Sequence, residues 1–320
     1  MPSSILFILA SLIWGSTFWA ITLQLGMVPP AVSVAYRFGL ASLTLFIVCL
    51  VRGDRLRLPW SLQRWLILQG FASFAVSYIC TYTAEQYLVS ALVAILFALM
   101  IIWSPIAERL LLGTPLTWRI WCAAFLAISG VVLLFLPSLS SHLTNLKTQH
   151  SGQFLLGLGL ALTATLASTG GNLIVHQIRK QSDNVLLTMA WAMGWGTLLI
   201  SLWASLTGQS WVVPTSWSYW LALLYLSLFG SVIAFACYFT LIHRISTQKA
   251  VYIGVITPII SVLLSIQLEH YRPGPIEWSG MALCLVGMAW ALKGNAPKAA
   301  VVTSPPHPVS INLSNHLEPS

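Results

Sequence analysis

Charged side chains are scarce in this 320-residue sequence. Asp, Glu, Lys and Arg make up 7% of the chain, apolar residues make up 58%, and the mean hydropathy is +0.84. A soluble domain has about a quarter of its residues charged and about half of them apolar. Intrinsic disorder requires low hydrophobicity, so the composition excludes that class as well. What remains is an all-α polytopic membrane protein.

A pattern of paired cysteines is also missing. The five cysteines lie inside long apolar runs without any Cys-x-x-Cys spacing. Buried thiols of this kind behave as small apolar side chains, so we predict no disulfide, metal site or cofactor. Catalytic signatures are missing too: there is no Gly-x-Ser-x-Gly elbow, no His-Glu-x-x-His site and no pair of carboxylates within a span. We therefore expect no catalytic residues and no enzyme.

Long apolar runs dominate the chain instead. A membrane-spanning helix needs roughly 20 consecutive apolar residues. Ten segments reach that length, with turn and charge signals in the connections between them. The predicted spans are 4–23, 30–51, 64–83, 88–112, 119–137, 153–176, 185–207, 218–242, 249–268 and 276–292.

The basic residues follow the predicted connections unevenly. With the N-terminus in the cytoplasm, the cytoplasmic connections and the tail hold twelve of the fifteen Lys and Arg residues, the outer connections hold Lys147 and Arg272, and Arg37 lies within a span. Because positive charge accumulates on the cytoplasmic side, both termini are predicted to be cytoplasmic. The net charge of +8 is then a topology signal, and no nucleic-acid partner is expected.

Ten spans divide into two sets of five, and an odd number per set requires the two sets to have opposite orientations. Trp121 and Gly130 in the fifth span have the same nine-residue spacing as Trp278 and Gly287 in the tenth. Inverted repeats of this kind are typical of transporters. The predicted division is a first repeat (1–137), an external loop (138–152), a second repeat (153–293) and a disordered, proline-rich cytoplasmic tail (294–320).

Several short motifs occur in an order typical of one family. They are Ile13-Trp14-Gly15-Ser16-Thr17-Phe18 in the first span, Pro29-Pro30 and Tyr36-Arg37-Phe38 at the second, and Ala250 through Thr257-Pro258 to Leu268-Glu269 in the ninth. Over about residues 1–293 the chain resembles the ten-helix EamA-type permeases of the drug/metabolite transporter superfamily. It departs from them at Leu112-Gly113-Thr114, where they usually carry Gly-Glu, and in lacking a proline near Met100.

The resemblance implies a secondary carrier of the bacterial inner membrane. It implies export of small metabolites such as amino acids, by alternating access around a central cavity between the repeats. The expected partners are then a small-molecule substrate and the lipid bilayer. Two alternatives stay open, namely an intramembrane enzyme and a channel or scaffold without a carrier cycle.

Two residues near the predicted cavity have competing interpretations. Pro258 lies near mid-membrane and leaves the Gly254 carbonyl without its helical donor, so with Thr257 it forms either a polar kink in the cavity or a kink used for packing. Arg37 lies about 10 Å deep in the second span, at 1.5 Å per residue. It serves either to attract a substrate carboxylate or, structurally, to extend outward to the interface or pair with Glu85 or Glu269.

Aromatic side chains deep in the spans are further candidates for the substrate pathway. Each either stacks on a substrate or packs between helices. Asn172 and His176 stand four residues apart on one helix face, where either can reach the cavity or remain solvated. The aromatic candidates are Trp14, Tyr78, Tyr82, Trp103, Trp191, Phe235, Tyr238 and Tyr252.

Acidic residues are missing from the predicted midplane. All seven lie in connections, at span ends or in the tail. The sequence therefore disfavours a pump that cycles a carboxylate at the membrane centre through protonation.

Overall fold

The computed structural model describes residues 2–113, 115–144, 150–245 and 253–294, and within these ranges the chain is helical without any strand. The predicted segments correspond to α1 to α10 in chain order. Their bounds are α1 Ser3–Thr22, α2 Pro30–Val51, α3 Trp60–Ala84, α4 Ser90–Leu112, α5 Trp118–Thr144, α6 His150–Arg179, α7 Val185–Leu206, α8 Trp217–Ile245, α9 Ile253–Leu268 and α10 Pro275–Gly294.

Eight of these helices, α1 to α8, are long and apolar enough to cross a membrane, and α9 is a shorter apolar helix. The prediction of a polytopic helical membrane protein is confirmed. Helices α5 and α6 extend into residues 138–152, the range predicted as a loop. The predicted tail lies outside the described residues from 295 onward. The division into two repeats stays a prediction.

Helix α4 is not continuous, although the sequence predicts one span there. It consists of Ser90–Ala98 and Met100–Leu112, separated at Leu99. Its backbone turns more tightly at that point, because the amide of Ile102 bonds to the Leu99 carbonyl three residues earlier, at 2.8 Å. The break lies six residues before Pro105.

Helices α3 and α8 each contain a π-helical segment, Gly70–Val76 in α3 and Tyr225–Ile233 in α8. Each segment ends with a hydrogen bond that spans five residues, from the Ser77 amide to Ala72 and from the Ala234 amide to Phe229. Segments of this kind are rare in proteins, and those that do occur are often found at functional sites. No sequence signal predicted them.

The most extensive helix contact joins α5 to α10. A Cβ atom added at Gly130 would lie 2.6 Å from the Cys284 nitrogen and 2.7 Å from the Gly280 oxygen. One added at Gly287 would lie 2.8 Å from the Ala123 oxygen. As the residue number rises along α5, the residue number of the contacting position on α10 falls. The two helices therefore run antiparallel, with their backbones nearly touching.

Helices α2 and α7 pack in the same antiparallel manner. A Cβ at Gly39 would meet the Thr197 methyl at 3.4 Å, and one at Gly194 would meet the Ser42 hydroxyl at 3.0 Å. The Ser42 hydroxyl donates to the Ala190 carbonyl at 2.8 Å. Further contacts place α1 against α8 and α9, and α6 against α3 and α4.

The connections gather at two ends of the helix bundle. We call one the Glu269 end, where Tyr82 bonds to Gln24 and Ser90 bonds to Glu269. We call the other the Arg52 end, which carries residues 52–59 and 180–184. There the Trp191 indole donates to the Leu56 carbonyl at 2.9 Å.

Replacing Gly130 with alanine tests the α5–α10 contact. The new methyl group would overlap the α10 backbone, so Gly130→Ala should lower the free energy of unfolding by ~1–3 kcal/mol, as overpacking does. The melting temperature of the detergent-purified protein is the measurement.

Gly159→Ala is the matched control, because a Cβ at Gly159 meets no atom within 4 Å. Alanine in an open helical position gains up to about 1 kcal/mol over glycine. Equal melting temperatures for Gly130→Ala and the wild type would contradict the close approach.

Candidate functional site

Arg37 on α2 is 1% exposed and lies in the middle of a polar cluster near the Glu269 end. Its Nε donates to the Ser231 hydroxyl at 3.3 Å, in the π segment of α8. Its guanidinium carbon stands 4.8 Å from the centre of the Tyr78 ring. The second nitrogen of the fork, Nη1, has no hydrogen-bond partner. One face of the cation is thus stabilised by an aromatic ring, and one donor remains available.

The space for this side chain depends on the local shape of α8. Gly230 precedes Ser231, and a Cβ there would lie 3.4 Å from the Arg37 Nη2 and 2.9 Å from the Thr17 methyl. The Trp14 indole donates to the Gly230 carbonyl at 3.2 Å. The π segment and its glycine therefore allow α1, α2 and α8 to meet around the guanidinium.

Tyr82 and Gln24 extend the cluster toward the Glu269 end. Both side chains are fully buried, and the Tyr82 hydroxyl donates to the Gln24 Oε1 at 2.9 Å. The Gln24 Nε2 has no partner. Tyr82 also interacts electrostatically with Arg37. A second unused donor thus belongs to the same cluster and is linked to Arg37 through Tyr82.

Glu85 follows the last residue of α3 and is 6% exposed. Neither of its carboxyl oxygens has a hydrogen-bond partner, and no ion pair within 4.0 Å joins it to Arg37 in the described part of the chain. Burial and the negative charge of Glu269 raise the pKa of Glu85 well above its ordinary value, although Arg37 opposes this. A carboxyl group in this environment binds its proton tightly.

Glu269 has the opposite surroundings. It accepts hydrogen bonds from the Ser90 hydroxyl, from the Ser90 amide at 3.2 Å and from the Ser265 hydroxyl at 2.9 Å. Ser90 is the first residue of α4, so the carboxylate satisfies a free amide at a helix N-terminus. This contact fastens the end of α9 to the start of α4 and closes the bundle at that point.

An aromatic group lies next to the Arg37 cluster. The Trp14 ring is 5.2 Å from the Phe235 ring and 5.3 Å from the Tyr238 ring, measured between centroids. The nearby Ser16 hydroxyl bonds to the Tyr225 hydroxyl at 2.5 Å. Three of the aromatic candidates predicted from sequence thus form one wall between α1 and α8.

A second set of unpaired polar atoms lies on α4, α8 and α9. Thr257 and Ser261, one turn apart on α9, each have a buried hydroxyl without a partner, and so does Ser227 on α8. The indole nitrogen of Trp103 on α4 is likewise buried and unpaired. Buried polar atoms are normally hydrogen-bonded, so these atoms are available to a bound molecule.

Pro258 occupies a different surface. It lines an apolar groove of about 80 Å³ together with Ile95, Val262 and Trp278, between α4, α9 and α10. Leu263 and Trp278 in this groove are about half exposed, so the groove lies on the outside of the bundle. The structure therefore separates Pro258 from the Arg37 cluster.

Asn172 and His176 are both exposed near the Arg52 end. The Asn172 amide lies 3.9 Å from the Met100 sulfur, and the His176 Nε2 lies 3.8 Å from a Glu108 oxygen. The predicted pair thus belongs to the opposite end of the bundle from Arg37. Tyr252 lies outside the described residues.

Sequence reasoning did not include three members of the cluster among the site candidates. Gln24 and Glu85 were assigned to connections, and Ser231 is one serine among many. Their proximity to Arg37 comes from contacts between residues as far apart as 194 positions. The alternative of a structural partner for Arg37 did point to Glu85, which does interact with it electrostatically.

Comparison with known proteins agrees with this architecture. The model of the EamA-like transporter family matches residues 1–136 and 155–293. The chain belongs to the EamA-like transporter family. It is therefore a membrane transporter, and a multi-pass protein of the bacterial inner membrane, as the sequence predicted.

Individual relatives cover most of the chain. Protein PagO of Salmonella typhimurium is 28% identical over 274 residues, which are 84% of this chain and 85% of PagO. The uncharacterized inner membrane transporter YedA of Escherichia coli is 25% identical over 284 residues, 88% of each chain. A solved crystal structure with 19% identity superposes with a TM-score of 0.61 over 90% of this chain and 96% of its own. That last similarity concerns the fold.

Replacing Tyr82 with phenylalanine tests the hydrogen bond within the cluster. Tyr82→Phe leaves the buried Gln24 oxygen unpaired, which should cost ~1–3 kcal/mol of unfolding free energy. Thermal unfolding measures the loss. The control is Tyr87→Phe, which removes a half-buried hydroxyl outside this network. If both variants melt alike, the Tyr82–Gln24 bond contributes nothing.

Proposed function

We propose that this transporter is a secondary carrier that exports small metabolites, such as amino acids, by alternating access. In this proposal, ten helices form two inverted five-helix repeats, and the substrate binds between them. Both termini are cytoplasmic, so the Glu269 end faces outward and the Arg52 end faces the cytoplasm.

The packing of the helices supports the inverted repeats. A shift of 157 residues takes Trp121 to Trp278 and Gly130 to Gly287. The same shift takes Ala123 and Ala127, the neighbours of Gly287, to Gly280 and Cys284, the neighbours of Gly130. The contact of α5 with α10 is therefore reciprocal, because equivalent positions of the two helices meet each other in the same way. Because the helices are antiparallel, a two-fold axis across the bundle relates them.

Helices α2 and α7 repeat this relation with a shift of 155 residues. Gly39 becomes Gly194, and Ser42 becomes Thr197, so a glycine meets a hydroxyl-bearing residue in both directions. The π segments lie in α3 and α8, which correspond under the same exchange. The contacts of α1 with α8 and α9 likewise match those of α6 with α3 and α4.

The observation that carries the substrate site is the unpaired donor of Arg37. A buried guanidinium with a free Nη1, linked through Tyr82 to the free amide nitrogen of Gln24, is suited to bind a carboxylate by charge-assisted hydrogen bonds. The Trp14 aromatic wall supplies apolar surface for the rest of the molecule. A small organic acid or amino acid combines both features.

The alternatives predict different behaviour. A channel would conduct without saturation, and an enzyme would convert its ligand. Carriers, in contrast, exchange labelled for unlabelled substrate across a membrane. Proteoliposomes containing the purified protein should therefore show saturable counterflow for at least one member of a panel of labelled amino acids and organic acids. Flux that rises linearly with concentration for all of them would leave the carrier proposal without support.

Arg37→Lys tests the substrate contact. Lysine keeps the positive charge but lacks the planar fork and the ring contact of arginine. Losing one charged hydrogen bond costs about 1.5–3 kcal/mol. We expect counterflow affinity to fall by about tenfold or more, since 1.4 kcal/mol is a factor of about ten.

Arg57→Lys, at an exposed position near the Arg52 end, is the matched control and should keep wild-type kinetics. Unchanged counterflow in Arg37→Lys would assign the arginine to structure alone.

The orientation can be tested with cysteines at exposed positions of the two ends. The single-cysteine variants are made in a cysteine-free background and expressed in intact cells. There Ser210→Cys should react with a membrane-impermeant thiol reagent, and Arg55→Cys should react only after permeabilisation. The asymmetry of basic residues is the physical reason. The reverse labelling pattern would show that the orientation of the protein in the membrane is opposite to the one proposed.

A further inference from the structure

The carboxyl group of Glu85 has no role in the substrate site proposed above, yet it is buried without any hydrogen-bond partner. Glu269, at the same end, receives three donors from Ser90 and Ser265. Two carboxyl groups that interact electrostatically thus have unequal surroundings. One is equipped to hold a negative charge and the other is not.

Among the residues that the structure describes, few charged and titratable groups interact with Glu85. Helix α2 contributes Arg37, α3 contributes Tyr82, and the end of α9 contributes Glu269. Helix α6 packs closely against the last part of α3, and its segment 152–169 contains no ionisable side chain. Arg37, the cation that interacts with Glu85, already contacts Ser231 and Tyr78.

An ionised carboxylate in such a place is costly. Burying a charge without hydrogen bonds carries a penalty of several kcal/mol, and proteins avoid it by neutralising the group. Repulsion from Glu269 adds to this penalty, and attraction to Arg37 reduces it without removing it. Because Glu269 is stabilised by its three donors, the proton belongs on Glu85.

We propose that Glu85 is a proton-binding site that is occupied while the Glu269 end is closed and empties when that end opens. The proposal rests on the alternating access of the proposed function. In the open state water reaches the carboxyl group, which then loses its proton to that water. On closing, Glu85 takes one proton back from the same side, and no other bond changes.

The linkage has a definite sign. A carboxyl group whose pKa is higher in the closed state than in the open state favours closure at low pH. That preference is fully present below the ordinary pKa of the open state and is lost as the pH rises through the higher pKa of the closed state. Opening of the Glu269 end should therefore increase with pH on that side. Proton release would then accompany each opening, so the pH on that side of the membrane shifts the carrier between its closed and open states.

Infrared spectroscopy tests the occupancy without any substrate. At neutral pH the purified wild-type protein should show the C=O stretch of a protonated carboxyl group, and Glu85→Gln should lose that band. Glu277→Gln is the control, because Glu277 lies at the same end but accepts a bond from the Gly274 amide at 2.6 Å, so its variant should keep the band. A band that is missing in the wild type, or that survives in Glu85→Gln, would overturn the proposal.

Thiol labelling tests the link to opening. Ser227 is fully buried on α8 with an unpaired hydroxyl, so Ser227→Cys in a cysteine-free variant should react with an impermeant maleimide from the Glu269 end only when that end opens. We divide the labelling rate of Ser227→Cys by the rate measured when Glu85→Gln is also present, which cancels the reactivity of the thiol itself. This ratio should rise with pH, by up to about tenfold for each unit that separates the two pKa values.

A ratio that does not change with pH would contradict the link to opening, and the same comparison with Glu277→Gln should give a flat ratio. Thermal unfolding of Glu85→Gln checks that the isosteric change leaves the fold intact. The infrared band does not depend on transport. An intact Glu85 band together with a failed counterflow panel would thus support the proton site and reject the carrier proposal.

Discussion

The burial of one guanidinium group constrains the structure around it. Moving an arginine out of water costs several kcal/mol unless hydrogen bonds and nearby electron density compensate. Here Ser231, the Tyr78 ring and the electrostatic interaction with Glu85 provide part of that compensation. These groups come from α2, α3 and α8, so stabilising Arg37 requires three helices to keep their mutual positions. A disturbance in any of them changes the environment of the charge.

The compensation is incomplete, and this distinguishes the cluster from an ordinary buried ion pair. Arg37 and Gln24 keep free donors, while Glu85 keeps free acceptors. A fully satisfied network would stabilise one arrangement and resist change. An incompletely satisfied one favours whatever molecule or proton completes it, which is the behaviour that a carrier site needs.

The positions of the helices could be read from the sequence because apolar runs of membrane length are a strong signal. Helix α2 begins and ends at the predicted residues, and the others differ mostly by a few positions. Arg37, Tyr78 and Tyr82 were each predicted as candidates, and the structure brings them together. The burial of Glu85 was not predictable, since a residue next to a span end is normally solvated and only tertiary packing covers it. The position of Pro258 in an outer groove was not predictable either. In an almost uniformly apolar segment, the sequence carries little signal of which face of the helix points outward.

The π segments have a consequence for the geometry of the bundle. A helix of 3.6 residues per turn advances about 100° with each residue, so a single extra residue accommodated in a π turn rotates everything beyond it by about that angle. In α8 the residues after Ile233, including Phe235 and Tyr238, consequently face Trp14 through a register that an uninterrupted α-helix would not give them.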